Sequence, residues 1–280
     1  MTHLLDRKTQ HTTLNALKYG LCAVVILGSQ YAHATPTFVK GALNELSFNT
    51  YQNLVDVDKN GIPTPGDIFY GILNVTRIAS GGITKWDANN VPGPGIDSFS
   101  GYYVASITSS MALPSPWAGA ATLGPASFDP NGIFSAADLA AGTIVKLFTD
   151  SGTPFESNGS VADDITKATD GTFWASFGFP GGYWNVTVMN NGQIFGSGGL
   201  NLAANNSGLN LINIVNPSCS TCAPVQQYFN TVAKDTGANN TWRYIGANSA
   251  NIYPAPEPAA TWLMGIGMMG LYLTRRKITR

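Results

Sequence analysis

Two apolar, oppositely flanked ends constrain this chain most, because neither can belong to a water-soluble fold. Near the C-terminus, Pro254-Ala255-Pro256-Glu257-Pro258 leads into an uncharged run over 259–274 that includes Trp262, Leu263, Ile266, Met269 and Leu273, followed by Arg275-Arg276-Lys277. In lipid such a run is expected to form one membrane-spanning helix, with every backbone group bonded internally. At about 16 residues it falls short of the roughly 20 that a comfortable span requires. The cationic end would stay cytoplasmic and leave Pro256, Glu257 and Pro258 on the far face.

The other end reads as an export signal. Arg7, Lys8 and Lys18 supply a positive region, Leu21, Val24, Val25, Ile26 and Leu27 an apolar core, and Ala32-His33-Ala34 a small-residue cleavage site for signal peptidase. Cleavage after Ala34 divides the chain into a signal peptide at 1–34, an extracellular domain at 35–253 and a tail at 254–280.

The tripartite tail resembles the PEP-CTERM sorting domain of exported bacterial proteins. The resemblance rests on Pro256, Glu257 and Pro258, the apolar run, and Arg275, Arg276 and Lys277. It implies transient anchoring in the inner membrane, cleavage by the membrane protease exosortase, and release to the cell surface or medium in organisms that make exopolysaccharide.

Setting both ends aside changes the chemistry that remains. His3, His11 and His33 all lie before the cleavage site, so the domain at 35–253 contains no histidine. Histidine-based nucleophilic systems and histidine-containing zinc sites are thereby excluded. The same stretch holds eight cationic and fourteen anionic side chains, a net charge of −6. Without a basic patch to neutralise phosphates, nucleic acid is not an expected partner.

The domain reads as all-β, a β-sandwich or jelly roll with short helices. Runs at 67–78, 101–108, 143–149, 172–179, 183–189 and 209–215 are rich in β-branched and aromatic residues and bounded by Gly, Pro, Asn or Asp. Only 135–141 and 161–169 look helical, with Ser135 and Ser160 as N-caps. A Pro-, Ala-, Ser- and Gly-rich stretch at about 109–130 reads as a long loop or insertion.

The chemical motif with the best spacing is Asp56 to Asp67. Asp56, Asp58 and Asn60 occupy loop positions 1, 3 and 5, Gly61 position 6, Ile62 position 7 and Asp67 position 12. That is the order of a calcium loop, in which the Ile62 carbonyl would also ligate. Strand-like flanks and two internal prolines favour a plain hairpin connection, with the Asp side chains capping loop amides. Both readings stay open. Cys219 and Cys222, the only thiols after signal removal, are expected to form a local disulfide in an oxidising compartment.

Catalysis without histidine would fall to paired carboxylates. Asp97, Asp129, Asp150 and Asp170, however, sit in turn-like contexts, and Asp163-Asp164 read as a solvated helix face with Lys167. Gly196-Ser197-Gly198-Gly199 lacks the ending of a phosphate loop and reads as a flexible turn. Trp174 and Trp184 are expected in the core, whereas Trp86 and Trp117 are expected in loops as exposed contacts. The expectation is a non-enzymatic cell-surface or matrix component associated with exopolysaccharide or biofilm. Its alternatives are a calcium-dependent carbohydrate-binding or adhesion module and a carboxylate-dependent carbohydrate-active enzyme.

Overall fold

The computed structural model describes residues 36–88, 98–112, 119–150, 155–189, 192–217, 219 and 221–256. The expected signal peptide, the tail from Glu257 onward with its expected membrane helix, and Trp117 lie outside these residues. Among the described residues no helix is long and apolar enough to cross a membrane.

The described chain contains strands β1 (Asn44–Val55), β2 (Ile68–Ser80), β3 (Ile83–Asp87), β4 (Ser98–Ala112) and β5 (Gly119–Gly124), helix α1 (Ala136–Ala140) and strand β6 (Thr143–Asp150). Helix α2 (Val161–Thr169) and strands β7 (Thr172–Val188), β8 (Gln193–Asn205), β9 (Gln227–Asp235) and β10 (Tyr244–Ile252) follow. Every strand pairing is antiparallel. Eight strands close a ring in the order β1, β2, β4, β6, β7, β8, β9, β10 and back to β1. The expected sandwich or jelly roll is therefore corrected to a closed barrel. Alternation along a strand says which side chains face inward, and it is the same for two packed sheets as for one sheet closed on itself. The deciding feature is the ladder between the first and last strands, which runs from Asn44↔Ile252 to Gln52↔Tyr244. Closure removes the free edges that an open sheet would present.

One position in the ring is shared. β6 pairs with the first parts of β4 and β7, and β5 with their second parts. β7 can serve both because its register shifts between Gly178 and Tyr183. There Pro180 has no amide to donate and Gly181 takes φ +72°. The two expected strands at 172–179 and 183–189 are thus one bent strand. Within the expected insertion at 109–130, residues 109–112 end β4 and 119–124 form β5, which pairs antiparallel with it; its Ala- and Gly-rich sequence carried little β signal. The stretch 209–215 makes only the isolated bridges Leu211↔Pro254 and Ile214↔Val225.

Two apolar clusters follow from the alternation. Inside the barrel, Phe99, Trp174 and Phe177 fill one end, with Phe38 stacked on Trp174 at a ring separation of 5.4 Å. Trp184 packs edge-on against Phe229 in the interior at 5.0 Å. Trp86 belongs to the same cluster and is 4 % exposed on β3, which corrects the exposed-loop expectation for it. Outside the barrel, Ile68, Ile72, Tyr102 and Val104 face the opposite way and are covered by Phe134, Phe155, Ile165 and Trp242.

Both helices start at their expected caps. The Ser135 and Ser160 side chains accept the amides of Asp138 and Asp163, and each Asp carboxylate accepts the cap amide in return. Asp164 departs from the expected solvated face, for it is wholly buried. It accepts hydrogen bonds from Trp242 Nε1 at 2.8 Å, Ser157 Oγ at 2.9 Å and the Gly159 amide at 3.0 Å. Spacing alone could not show that α2 turns this residue toward the barrel, where the indole supplies a donor.

Candidate functional site

The loop between β1 and β2 brings the expected calcium residues together. Candidate ligand oxygens of Asp56, Asp58 and Asp67 lie within 4.8 Å of one another. Asp67 is buried, at 1 % exposure, and its two oxygens accept the amides of Val57 at 2.8 Å and Thr64 at 2.7 Å. Asp56 accepts from the amides of Gly61 at 2.7 Å and Asn60 at 3.2 Å. The Asn60 side chain donates to Asp58 at 2.7 Å and accepts the Ile62 amide at 2.8 Å. Lys59 and Gly61 both take left-handed backbone, at φ +58° and +80°, which folds the loop back over its carboxylates.

The arrangement is that of a hairpin connection capped by its own acids. The Gly61 amide is the largest influence on the Asp56 carboxyl and, with the other loop hydrogen bonds, outweighs desolvation to hold it below the ordinary carboxylate value. A carboxylate oxygen that accepts one amide keeps a second lone pair, so the same three acids remain able to face a cation. Beyond the loop, the Gly66 amide and the Asp67 carbonyl bond the backbone of Ile107, which joins the loop to β4.

Cys219 and Cys222 form the expected disulfide, with Cα atoms 5.4 Å apart. The segment that carries it caps one end of the barrel. Asn216 is 1 % exposed and donates to the Tyr183 hydroxyl at 2.7 Å, and Val225 is fully buried. So short a covalent loop adds little chain-entropy stabilisation; the Ile214↔Val225 bridge, the Asn216 side chain and the Gln226 side chain, which bonds the backbone of Leu202 and Leu211, also hold the segment.

The same end of the barrel receives the start of the C-terminal tail. After β10, the Pro254 carbonyl accepts the Gly41 amide at 2.8 Å and the Ala255 amide donates to Asn210 at 2.6 Å. The Tyr253 hydroxyl donates to the Gly41 carbonyl at 2.6 Å. The chain is thus pinned to the domain immediately before Glu257. A family model for the PEP-CTERM protein-sorting motif matches residues 254–277. The chain carries a PEP-CTERM sorting motif. The matched span contains Pro256, Glu257, Pro258, Arg275, Arg276 and Lys277, the residues on which the resemblance rested. A PEP-CTERM motif implies an exported protein that is sorted through the membrane and processed by exosortase. No curated protein and no solved structure matches the chain.

Sequence reasoning missed a row of polar side chains inside the barrel. Thr50, Gln52, Gln227, Thr231 and Asn248 all occupy inward positions of β1, β9 and β10. The available signal was their alternation with outward neighbours, a polar residue where an apolar one should recur. Reading it required the register of strands whose Asn, Ser and Ala content hid them.

Proposed function

We propose that the mature barrel is a non-catalytic structural or binding component of the cell surface or the extracellular polymer matrix. It is freed by signal peptidase after Ala34 and by exosortase near Pro256-Glu257-Pro258. The sorting motif carries this reading. The −6 net charge of 35–253 and the absence of histidine there support a solvated, non-enzymatic surface, and polysaccharide is its proposed partner. The test is intact-mass analysis of the product exported by cells with and without exosortase. Cells with the protease are expected to export a species lacking Trp262 through Arg280, and cells without it to retain the tail in the membrane. A mature species that keeps the tail in both would overturn the processing reading. Failure of the processed species to sediment with isolated exopolysaccharide would overturn the matrix reading.

A second reading, a calcium-dependent adhesion module, is favoured by the convergence of Asp56, Asp58 and Asp67. Calcium would take their oxygens together with Asn60 and the Ile62 carbonyl, approaching the six to eight oxygen ligands it prefers. Isothermal titration with millimolar calcium is expected to give saturable heat and a raised melting temperature, and Asp67→Asn to remove both. No heat and no thermal shift would eliminate this reading.

A further inference from the structure

The barrel interior holds a partly open cavity of about 40 Å³, bounded on its apolar sides by Phe48, Leu73, Val145, Leu200 and Phe229. At about 10–15 Å³ per water-sized probe, it admits three waters or an organic molecule of about four non-hydrogen atoms. Among the described residues no charged side chain lines it; the polar lining is Thr50, Gln52, Tyr103, Trp184, Gln227 and Thr231. Thr50 is already engaged, its hydroxyl accepting from Asn248 at 2.7 Å and Gln52 at 2.8 Å.

Two of the lining residues carry a fully buried, unpaired polar atom. The indole N–H of Trp184 and the side-chain carbonyl of Gln227 are buried without any hydrogen-bond partner, on residues 8 % and 9 % exposed. Folded proteins rarely leave a buried donor or acceptor unpaired, because the group gives up water and receives nothing in exchange. Here the residues that carry one unpaired donor and one unpaired acceptor line the same cavity.

The space is built by glycine. Gly196-Ser197-Gly198-Gly199, expected as a flexible turn, lies within β8, and Gly196 and Gly198 take inward positions opposite Thr231 and Phe229. A Cβ on Gly196 would stand 2.4 Å from Thr231 Oγ1 and 3.1 Å from Trp184 Nε1, and one on Gly198 would stand 2.3 Å from the Phe229 ring. Side chains there would displace the groups that form the cavity wall. An eight-stranded barrel has an interior either just filled by its side chains or able to hold one small ligand. Glycine on β8 moves this one toward the second state.

We propose that this cavity is a binding site for a small, uncharged molecule with an apolar body and one hydroxyl group. The hydroxyl oxygen accepts a hydrogen bond from the Trp184 indole N–H, its O–H donates one to the Gln227 side-chain carbonyl, and the body lies against Leu73, Val145 and Leu200. The uncharged lining disfavours carboxylates, phosphates and amines, which would shed part of their hydration without a counter-charge.

The probe for the test is 2-propanol, titrated into the full isotope-labelled chain while proton–nitrogen spectra record the tryptophan indoles. Trp184→Phe identifies the indole signal of Trp184 by its loss. That signal is expected to shift saturably with millimolar half-saturation, while the other indole signals stay in place. Gln227→Leu is expected to weaken half-saturation about tenfold, and Leu73→Phe to abolish the shift. If Leu73→Phe does not fold, Gln227→Leu decides alone. A shift that grows linearly and equally at all indoles, or a water cross-peak at Trp184 that 2-propanol never displaces, would overturn the proposal and leave a solvent-filled void.

Discussion

Replacing Asp164 with alanine is expected to destabilise the fold by roughly 3–5 kcal/mol, because three donors lose one buried acceptor group. The Trp242 indole, the Ser157 hydroxyl and the Gly159 amide all converge on that carboxyl group. The indole has no access to solvent as a substitute, since Trp242 is 3 % exposed and sits among Ile68, Ile72, Phe155 and Ile165. For a domain of this size, such a loss corresponds to a fall in melting temperature of about 10 °C. Asp163→Ala, one residue away, removes only the exposed carboxylate half of the capping box, leaves the Ser160 side chain on the helix amide, and is expected to lower the melting temperature far less. Thermal unfolding of both variants, followed by circular dichroism, measures the difference. Equal melting temperatures would mean that the buried cluster under α2 does not brace the barrel.

The contrast between these adjacent aspartates shows where sequence reading stops. Ser160 three residues before Asp163 was enough to place the cap, because capping is local and the spacing itself makes the bond. The burial of Asp164 depends on Trp242, 78 positions away, and no spacing within the helix carries that information. The strands divide in the same way. β2, β4, β6 and β7 were legible from β-branched and aromatic runs. β1, β8, β9 and β10 were hidden by residues such as Asn49, Gly198, Asn230 and Asn248, which read as loop formers until closure into a ring assigns them an inward or outward face. At the candidate loop, positions 56–67 fixed which acids converge. The sharing of those acids with the amides of Val57, Gly61 and Thr64 needed the folded backbone.

Gly246→Ala is expected to cost about 3 kcal/mol, at the upper end of what overpacking does, because the added methyl meets backbone and not a movable side chain. Its Cβ would lie 2.0 Å from the Val232 carbonyl oxygen and 3.0 Å from Thr50 Oγ1. The site is crowded because the β9–β10 ladder is interrupted there. Pairing runs from Tyr244↔Asp235 to Gly246↔Ala233 and resumes only at Ser249↔Asn230. The Asn248 side chain fills the interruption, accepting the Val232 amide and donating to Thr50. A methyl at Gly246 must therefore push β9 away from β10 at the point where Asn248 ties β9 and β1 to β10. Since β10 joins β1 to close the ring, separation there reopens a sheet edge. Gly81→Ala provides the comparison. Gly81 has φ +58° but nothing within 4 Å of its Cβ, so only the left-handed backbone penalty of about 1–2 kcal/mol applies. Urea denaturation midpoints separate the two: the Gly246 variant should fall well below the Gly81 variant. Equal midpoints would mean that β9 can yield at Val232, and that the interrupted ladder is not what holds the barrel closed.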